Sequence, residues 1–379
     1  MSDHAANIEK SQLTATGIPV RNLWHMLLYA LDAVHLQNSW KSQFQDAPDT
    51  KNLLASFLVN LIERRLRIGL SCDYRGRADV IAGVKGRIDF NRSLKQLNFL
   101  QGRAACEFQV FSENVPKNQI IRSTLTELLR DCESSRTQDL LPDTRTGARQ
   151  CILRMRTISP IEVSGRAIRR ELAKRHDADY RLMLSLCQML HEYSMPSEFD
   201  GENKLKSLDR DAYIFHRIYE KFVANFYGSR LLGWKTTAQK QMSWPAEGDD
   251  TYLPKMRPDL VVQHRETNTI VVLDTKFTAR YLKSGPWDTA KFDSGHLYQM
   301  YAYIKSQEQQ SPAHAVATGI LLYPTVEKSL SETVNMHGNR FRWETIDLAL
   351  PWQQIESRLL EIFDEEPTPH LQTPPCSTN

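Results

Sequence analysis

Apolar residues recur at helical spacing in several segments of the first half of the chain. The spacing predicts helices around 23–31 and over about 53–68, 118–132 and 180–193. Between them, short apolar runs at 74–90 and 107–111 are broken by glycine and basic residues, which predicts strands and turns. The polar segment 134–147 predicts a loop.

In the second half of the chain, segments with helical apolar spacing alternate with short apolar runs that are typical of strands. It predicts a helix over 211–232, strands at 259–262, 269–277 and 315–323, a helix after 293, a late strand and a final helix over 352–364. This order predicts an α/β (mixed α+β) fold in which helices flank a central mixed sheet. We expect a flexible start (1–17), an N-terminal domain (18–170), a second domain (171–365) and a disordered tail (366–379).

The hairpin of the second domain carries the candidate chemistry. A hairpin symmetric about Glu266 and Thr267 pairs Asp259 with Asp274, and on a strand Lys276 shares a face with Asp274. Two neighbouring buried carboxylates repel each other, and a divalent cation relieves that cost. Hard oxygen ligands suit Mg²⁺. The alternative is an ordinary ion pair that ends a core strand.

The helix after the hairpin supports the same hypothesis. Its predicted cap is Ser294, and Leu297, Met300, Tyr301 and Ile304 form its apolar face. Gln299 and Tyr303 fall on the opposite stripe. A merely solvated face is the alternative.

Upstream, Glu220 lies on an apolar helix and could reach the sheet as a third metal ligand or as a support for the ligands. An exposed helical glutamate beside Lys221 is the competing interpretation.

The sequence resembles known nucleases at these positions. Pro258-Asp259 followed by Asp274-x-Lys276 resembles the PD-(D/E)xK signature, and Gln299 with Tyr303 resembles the Q-xxx-Y pair of its RecB-like branch. That resemblance implies that Gln299 and Tyr303 could hydrogen-bond a DNA phosphate and help to orient Lys276. Five further segments resemble the McrC family, the nuclease subunits of McrBC restriction systems: 18–30, 83–90, 118–125, 321–324 and 362–365.

The resemblance implies an Mg²⁺-dependent endonuclease that cuts double-stranded DNA containing modified cytosine. It implies an AAA+ partner, McrB, which binds the GTP and whose GTPase this chain stimulates through its N-terminal domain. Its implied catalytic residues are Asp259, Asp274, Lys276, Gln299 and Tyr303, and its implied metal ligands are Asp259, Asp274 and Glu220. The candidate docking residues are basic: Arg21, Arg75, Arg77, Lys85 and Arg87. A non-catalytic adaptor and a stand-alone RecB-like repair nuclease are the alternatives.

Composition narrows these choices. The 379 residues include 48 Lys and Arg against 45 Asp and Glu, a net charge of +3, so the chain is not a bulk basic DNA-coating protein. There is no G-x-x-x-x-G-K-[ST] loop, so GTP is expected on the partner. The 6 cysteines form no C-x-x-C pair, which favours free thiols in a reducing cytoplasm. No apolar run approaches the roughly 18 residues of a spanning helix, so no membrane contact is expected.

Overall fold

The computed structural model describes residues 17–36, 47–134, 140–194, 203–248, 251–277, 282–284, 290–325 and 329–364. The predicted flexible start and disordered tail lie outside these residues, apart from residue 17. The chain divides into two compact units. Unit 1 joins Met1–Thr50 to Ser197–Asn379, and unit 2 is Lys51–Pro196.

The helices and strands of the described segments are named in chain order. The helices are α1 (Val20–Ala30), α2 (Thr50–Ile68), α3 (Phe90–Lys95), α4 (Pro116–Ser134), α5 (Pro142–Arg154), α6 (Gly165–Leu172), α7 (Ala178–Ser194), α8 (Asn203–Arg230), α9 (Ser294–Lys305), α10 (Pro312–Ala315) and α11 (Trp352–Asp364). The strands are β1 (Asp73–Ala82), β2 (Arg87–Ile88), β3 (Arg103–Ser112), β4 (Trp234–Ala238), β5 (Leu260–His264), β6 (Ile270–Thr275), β7 (Leu282–Ser284), β8 (Ala290–Phe292), β9 (Thr318–Thr325), β10 (Ser331–Met336) and β11 (Asn339–Asp347).

Unit 2 combines helices with a three-stranded antiparallel sheet of order β1-β3-β2. The predicted helices and strands of this region are all present within a few residues. The loop predicted over 134–147 is wrong at its end, because α5 begins at Pro142. Proline fits the first turn of a helix, and the polar Thr144 of that turn and the small Gly147 of the next are buried.

Unit 1 contains a six-stranded mixed sheet of order β10-β11-β9-β6-β5-β4. Strands β6, β9 and β11 run parallel in its interior, and β10, β5 and β4 are antiparallel to their neighbours. Every residue of β6 is buried, whereas the edge strands β4 and β10 are largely exposed. The predicted mixed sheet flanked by helices is therefore confirmed.

The hairpin of β5 and β6 has the predicted register. Leu260 pairs with Leu273 and Val261 with Val272, so the next positions outward are 259 and 274. One face of the hairpin, with Val261 and Val272, packs in a core cluster with α9. The opposite face packs against α8.

Helix α9 approaches β9 closely because glycine occupies position 319. A Cβ there would lie 2.6 Å from Cδ1 of Ile304 and 2.8 Å from Cγ of Met300. This close packing sets the distance between α9 and the sheet.

Helix α1 belongs to unit 1, together with the second half of the chain. This differs from the sequence prediction, which places it in a separate N-terminal domain of residues 18–170. Its Asn22 is fully buried and donates from Nδ2 to the carbonyls of Leu348 and Leu350, each at 2.8 Å. Tyr29 donates to Glu356, and Asn225 of α8 donates to the Tyr29 carbonyl. An amphipathic pattern shows that α1 has a buried face but not which distant helices cover it.

Candidate active site

Asp259 is held in one orientation at the mouth of the hairpin. Its Oδ2 accepts from the backbone N of Thr275 at 2.8 Å and from Thr275 Oγ1 at 2.5 Å. Thr275 is 3% exposed, so water does not compete for these bonds. Two donors on one oxygen fix the carboxylate plane.

Asp274 is buried at 3% exposure near the end of β6 and forms an ion pair with Lys276. Burial and the nearby Asp259 carboxylate raise the pKa of Asp274 to about 6, although Lys276 acts in the opposite direction. Desolvation is the larger cause, so the charged form of Asp274 is disfavoured mainly by its burial. The cluster favours an additional cation.

A hydrogen-bonded chain runs from Lys276 into α9. Lys276 Nζ donates to Gln299 Oε1 at 2.6 Å, and Gln299 Nε2 donates to the Tyr303 hydroxyl at 2.6 Å. That hydroxyl donates to the Arg257 carbonyl at 3.4 Å. Gln299 thus orients Lys276, one of the two roles considered for it.

Two details of α9 differ from the predictions. Tyr303 is buried at 4% exposure rather than solvated, and its hydroxyl accepts a hydrogen bond from Gln299. A contact of Tyr303 with a DNA phosphate stays a prediction. Burial raises the pKa of Tyr303 to about 12, which keeps the phenol protonated as a donor. The cap is Asp293 rather than Ser294, because its carboxylate accepts from the backbone N of Gly295 and His296.

Glu220 is linked to Asp259 through the side chain of Gln239. Gln239 donates from Nε2 to Glu220 Oε1 at 2.6 Å and to Asp259 Oδ1 at 2.9 Å. Burial and the Asp259 carboxylate raise the pKa of Glu220. Among the residues that the structure describes, no three His, Cys, Asp or Glu side chains form a metal-binding group. The predicted three-carboxylate set is therefore not assembled, and Asp259 and Asp274 remain the candidate ligands.

Sequence reasoning missed three residues of this site. Thr275 lies between the two motif residues Asp274 and Lys276, so its contact with Asp259 follows from the hairpin register. Gln239 follows an edge strand and belongs to no motif. His216 lies one helical turn before Glu220, and burial lowers its pKa, which favours the neutral imidazole near neutral pH.

The basic residues proposed for docking are all exposed. Several have partners within their own unit. Arg77 forms an ion pair with Asp79 at 2.6 Å, Arg75 donates to the Asn114 carbonyl, and Lys85 lies 4.8 Å from the centre of the Phe108 ring. Their role in docking stays a prediction.

Residues 5–324 match the family described as "McrBC 5-methylcytosine restriction system component". This chain belongs to that family. It is 26% identical over 354 residues to the Type IV methyl-directed restriction enzyme EcoKMcrBC of Escherichia coli K12, covering 92% of this chain and 98% of the relative.

A solved structure shares the fold. It is the half-complex of Thermococcus gammatolerans McrB AAA+ hexamers with bound McrC, matched at 15% identity and a TM-score of 0.52. The match covers 91% of this chain and 75% of that chain. No helix in the described segments is both long and apolar enough to cross a membrane.

Proposed function

We propose that this McrBC family member is the Mg²⁺-dependent DNA endonuclease subunit of its restriction system. The observation that carries the proposal is the arrangement at the end of the hairpin. Two carboxylates, Asp259 and Asp274, interact there, with Lys276 fixed between Asp274 and Gln299. This arrangement provides cation ligands and a positioned ammonium in one place.

The donor set fits Mg²⁺. Asp259 and Asp274 offer hard carboxylate oxygens, and Mg²⁺ commonly uses one or two carboxylates and keeps several waters. Burial and the neighbouring Asp259 carboxylate disfavour the charged form of Asp274, and a bound cation would offset both effects. When bound, the ion would polarise a phosphoryl oxygen and acidify a bound water.

The remaining residues would act on the substrate phosphate and the attacking water. The Lys276 ammonium donates hydrogen bonds, and its fixed position lets it orient a water and stabilise charge that develops on phosphoryl oxygens. Gln299 and Tyr303 hold that ammonium in place. Thr275 holds Asp259, so the motif residues reach the substrate preorganised.

The proposed partner is an AAA+ GTPase of the McrB type, and the proposed substrate is double-stranded DNA with modified cytosine. The fold matches a chain from an assembly in which McrB hexamers carry bound McrC. The family description names 5-methylcytosine restriction. The sequence lacks a P-loop, so GTP would bind to the partner.

Cleavage of methylated plasmid DNA by the chain with its partner, GTP and Mg²⁺ tests the proposal. Lys276→Ala should lower the cleavage rate by at least about 100-fold, because several kcal/mol of transition-state stabilisation is lost. Lys235→Ala is the matched control, since Lys235 is an exposed lysine on the edge strand of the same sheet.

GTP hydrolysis measured in the same samples separates the alternatives. Lys276→Ala should still stimulate the partner's GTPase. Equal cleavage by wild type and Lys276→Ala would refute the site. Stimulation of GTPase by a wild-type chain that cuts no DNA would favour the adaptor, and cleavage without any partner would favour the stand-alone nuclease.

A further inference from the structure

We propose that Gln239 is a positioning residue that holds the Asp259 carboxylate ready to bind a metal ion and links it to Glu220. The inference rests on the metal-dependent function proposed above. It assigns a role to a residue that belongs to none of the motifs.

Three hydrogen bonds tie Gln239 to the two acids. Its side-chain amide donates to Asp259 Oδ1 at 2.9 Å and to Glu220 Oε1 at 2.6 Å. Its backbone N donates to the Asp259 carbonyl at 3.0 Å. An amide NH₂ group has two protons, so both are used on carboxylates.

The backbone at Gln239 adopts a left-handed conformation with φ of 49°. Residues other than glycine rarely adopt this region, and the few that do are enriched in Asn, Asp and His. Such strain persists where surrounding contacts enforce it, and it concentrates at functional sites. Here the enforcing contacts are those with Asp259 and Glu220.

The neutrality of glutamine matters for this role. Asp259 Oδ2 already accepts two hydrogen bonds from Thr275, and Gln239 adds one to Oδ1. A carboxylate oxygen offers about two acceptor positions, so Oδ1 keeps capacity for a cation. A lysine at position 239 would donate as well, but its charge would compete with the metal.

Metal binding by the full-length chain gives a readout that is independent of cleavage. Mn²⁺, which prefers the same ligands as Mg²⁺, is titrated while the electron paramagnetic resonance signal of free Mn²⁺ is followed, and Mg²⁺ is then used as competitor. Gln239→Gly removes the amide and relieves the backbone. Gln239→Met removes the donors and keeps the strain.

Both variants should bind Mn²⁺ at least about 10-fold more weakly, the usual cost of losing a residue that orients a metal ligand. Asn268→Gly is the matched control, because Asn268 has φ of 57° in the same unit but contacts neither acid. It should bind Mn²⁺ like wild type.

The failures of the two proposals are distinguishable. Wild-type affinity in Gln239→Gly, with binding lost in Asp274→Asn, would overturn the role of Gln239 and leave the metal site standing. A wild-type chain that binds no Mn²⁺ would overturn both.

Discussion

Replacing Asp274 with asparagine should stabilise the metal-free protein while it abolishes cleavage. The native pKa of about 6 exceeds the ordinary value of 3.8, mainly because the carboxyl is buried and secondly because Asp259 repels it. The folded state therefore holds this proton more tightly than the unfolded state does. Asparagine mimics the neutral form and removes the cost of the buried charge.

The difference of about two in pKa corresponds to about 3 kcal/mol, at about 1.4 kcal/mol for each pKa unit. The sign is opposite to that of an ordinary salt-bridged aspartate. The contribution of Asp274 to wild-type stability falls as pH rises from about 4 to about 6, the window set by the two pKa values, and stays low above it. The gain from Asp274→Asn should therefore be near its full size at pH 7 and vanish towards pH 4.

Urea denaturation in EDTA at several pH values measures this gain. Asp259→Asn is the internal contrast, because the Asp259 carboxylate accepts three hydrogen bonds and its replacement should destabilise the protein. Added Mg²⁺ should stabilise wild type and not Asp274→Asn. A loss of stability in Asp274→Asn at pH 7, or a gain that does not change with pH, would refute the reasoning.

Three other sets of substitutions test separate features. Thr275→Val should cost about 1.5–3 kcal/mol of stability and slow cleavage, because the Thr275 hydroxyl donates to a charged oxygen of Asp259. Thr275→Ser keeps the hydroxyl and should retain most of the stability and most of the cleavage rate, as measured by denaturation and cleavage assays. Gly319→Ala should cost about 1–3 kcal/mol by overpacking against α9, and adding Ile304→Val should recover part of the denaturation midpoint. Asn22→Ala should destabilise by about 2 kcal/mol or more because the buried Leu348 carbonyl and the part-buried Leu350 carbonyl lose their donor, while exposed Arg21→Ala should stay within about 0.5 kcal/mol; equal effects would contradict this packing.

Local patterns were sufficient for the hairpin and its motif residues. The symmetric turn at Glu266 and Thr267 gives the observed register, because strand pairing in a hairpin depends only on positions counted from the turn. The same count places Asp259 opposite Asp274, the pair on which the proposed chemistry depends.

Contacts between segments that are far apart in the chain could not be predicted from the sequence pattern. Gln239 and Glu220 meet only because α8 packs beside β4, and no periodicity encodes that contact. The burial of Tyr303 depends on how closely α9 approaches β9, which the glycine at position 319 permits. The partner of α1 depends likewise on residues more than 300 positions away.

Unit 1 is built from the first and the last parts of the chain, so it can be completed only late in synthesis. The carbonyls that accept hydrogen bonds from Asn22 are synthesised 326 and 328 residues after it. At about 5–20 residues per second, the ribosome needs roughly 15–65 s to make that stretch. Unit 2 emerges in full during this interval, before the candidate catalytic residues have been translated. Nascent chains therefore pass through a long period in which unit 2 is complete and the residues of the candidate active site have not been synthesised.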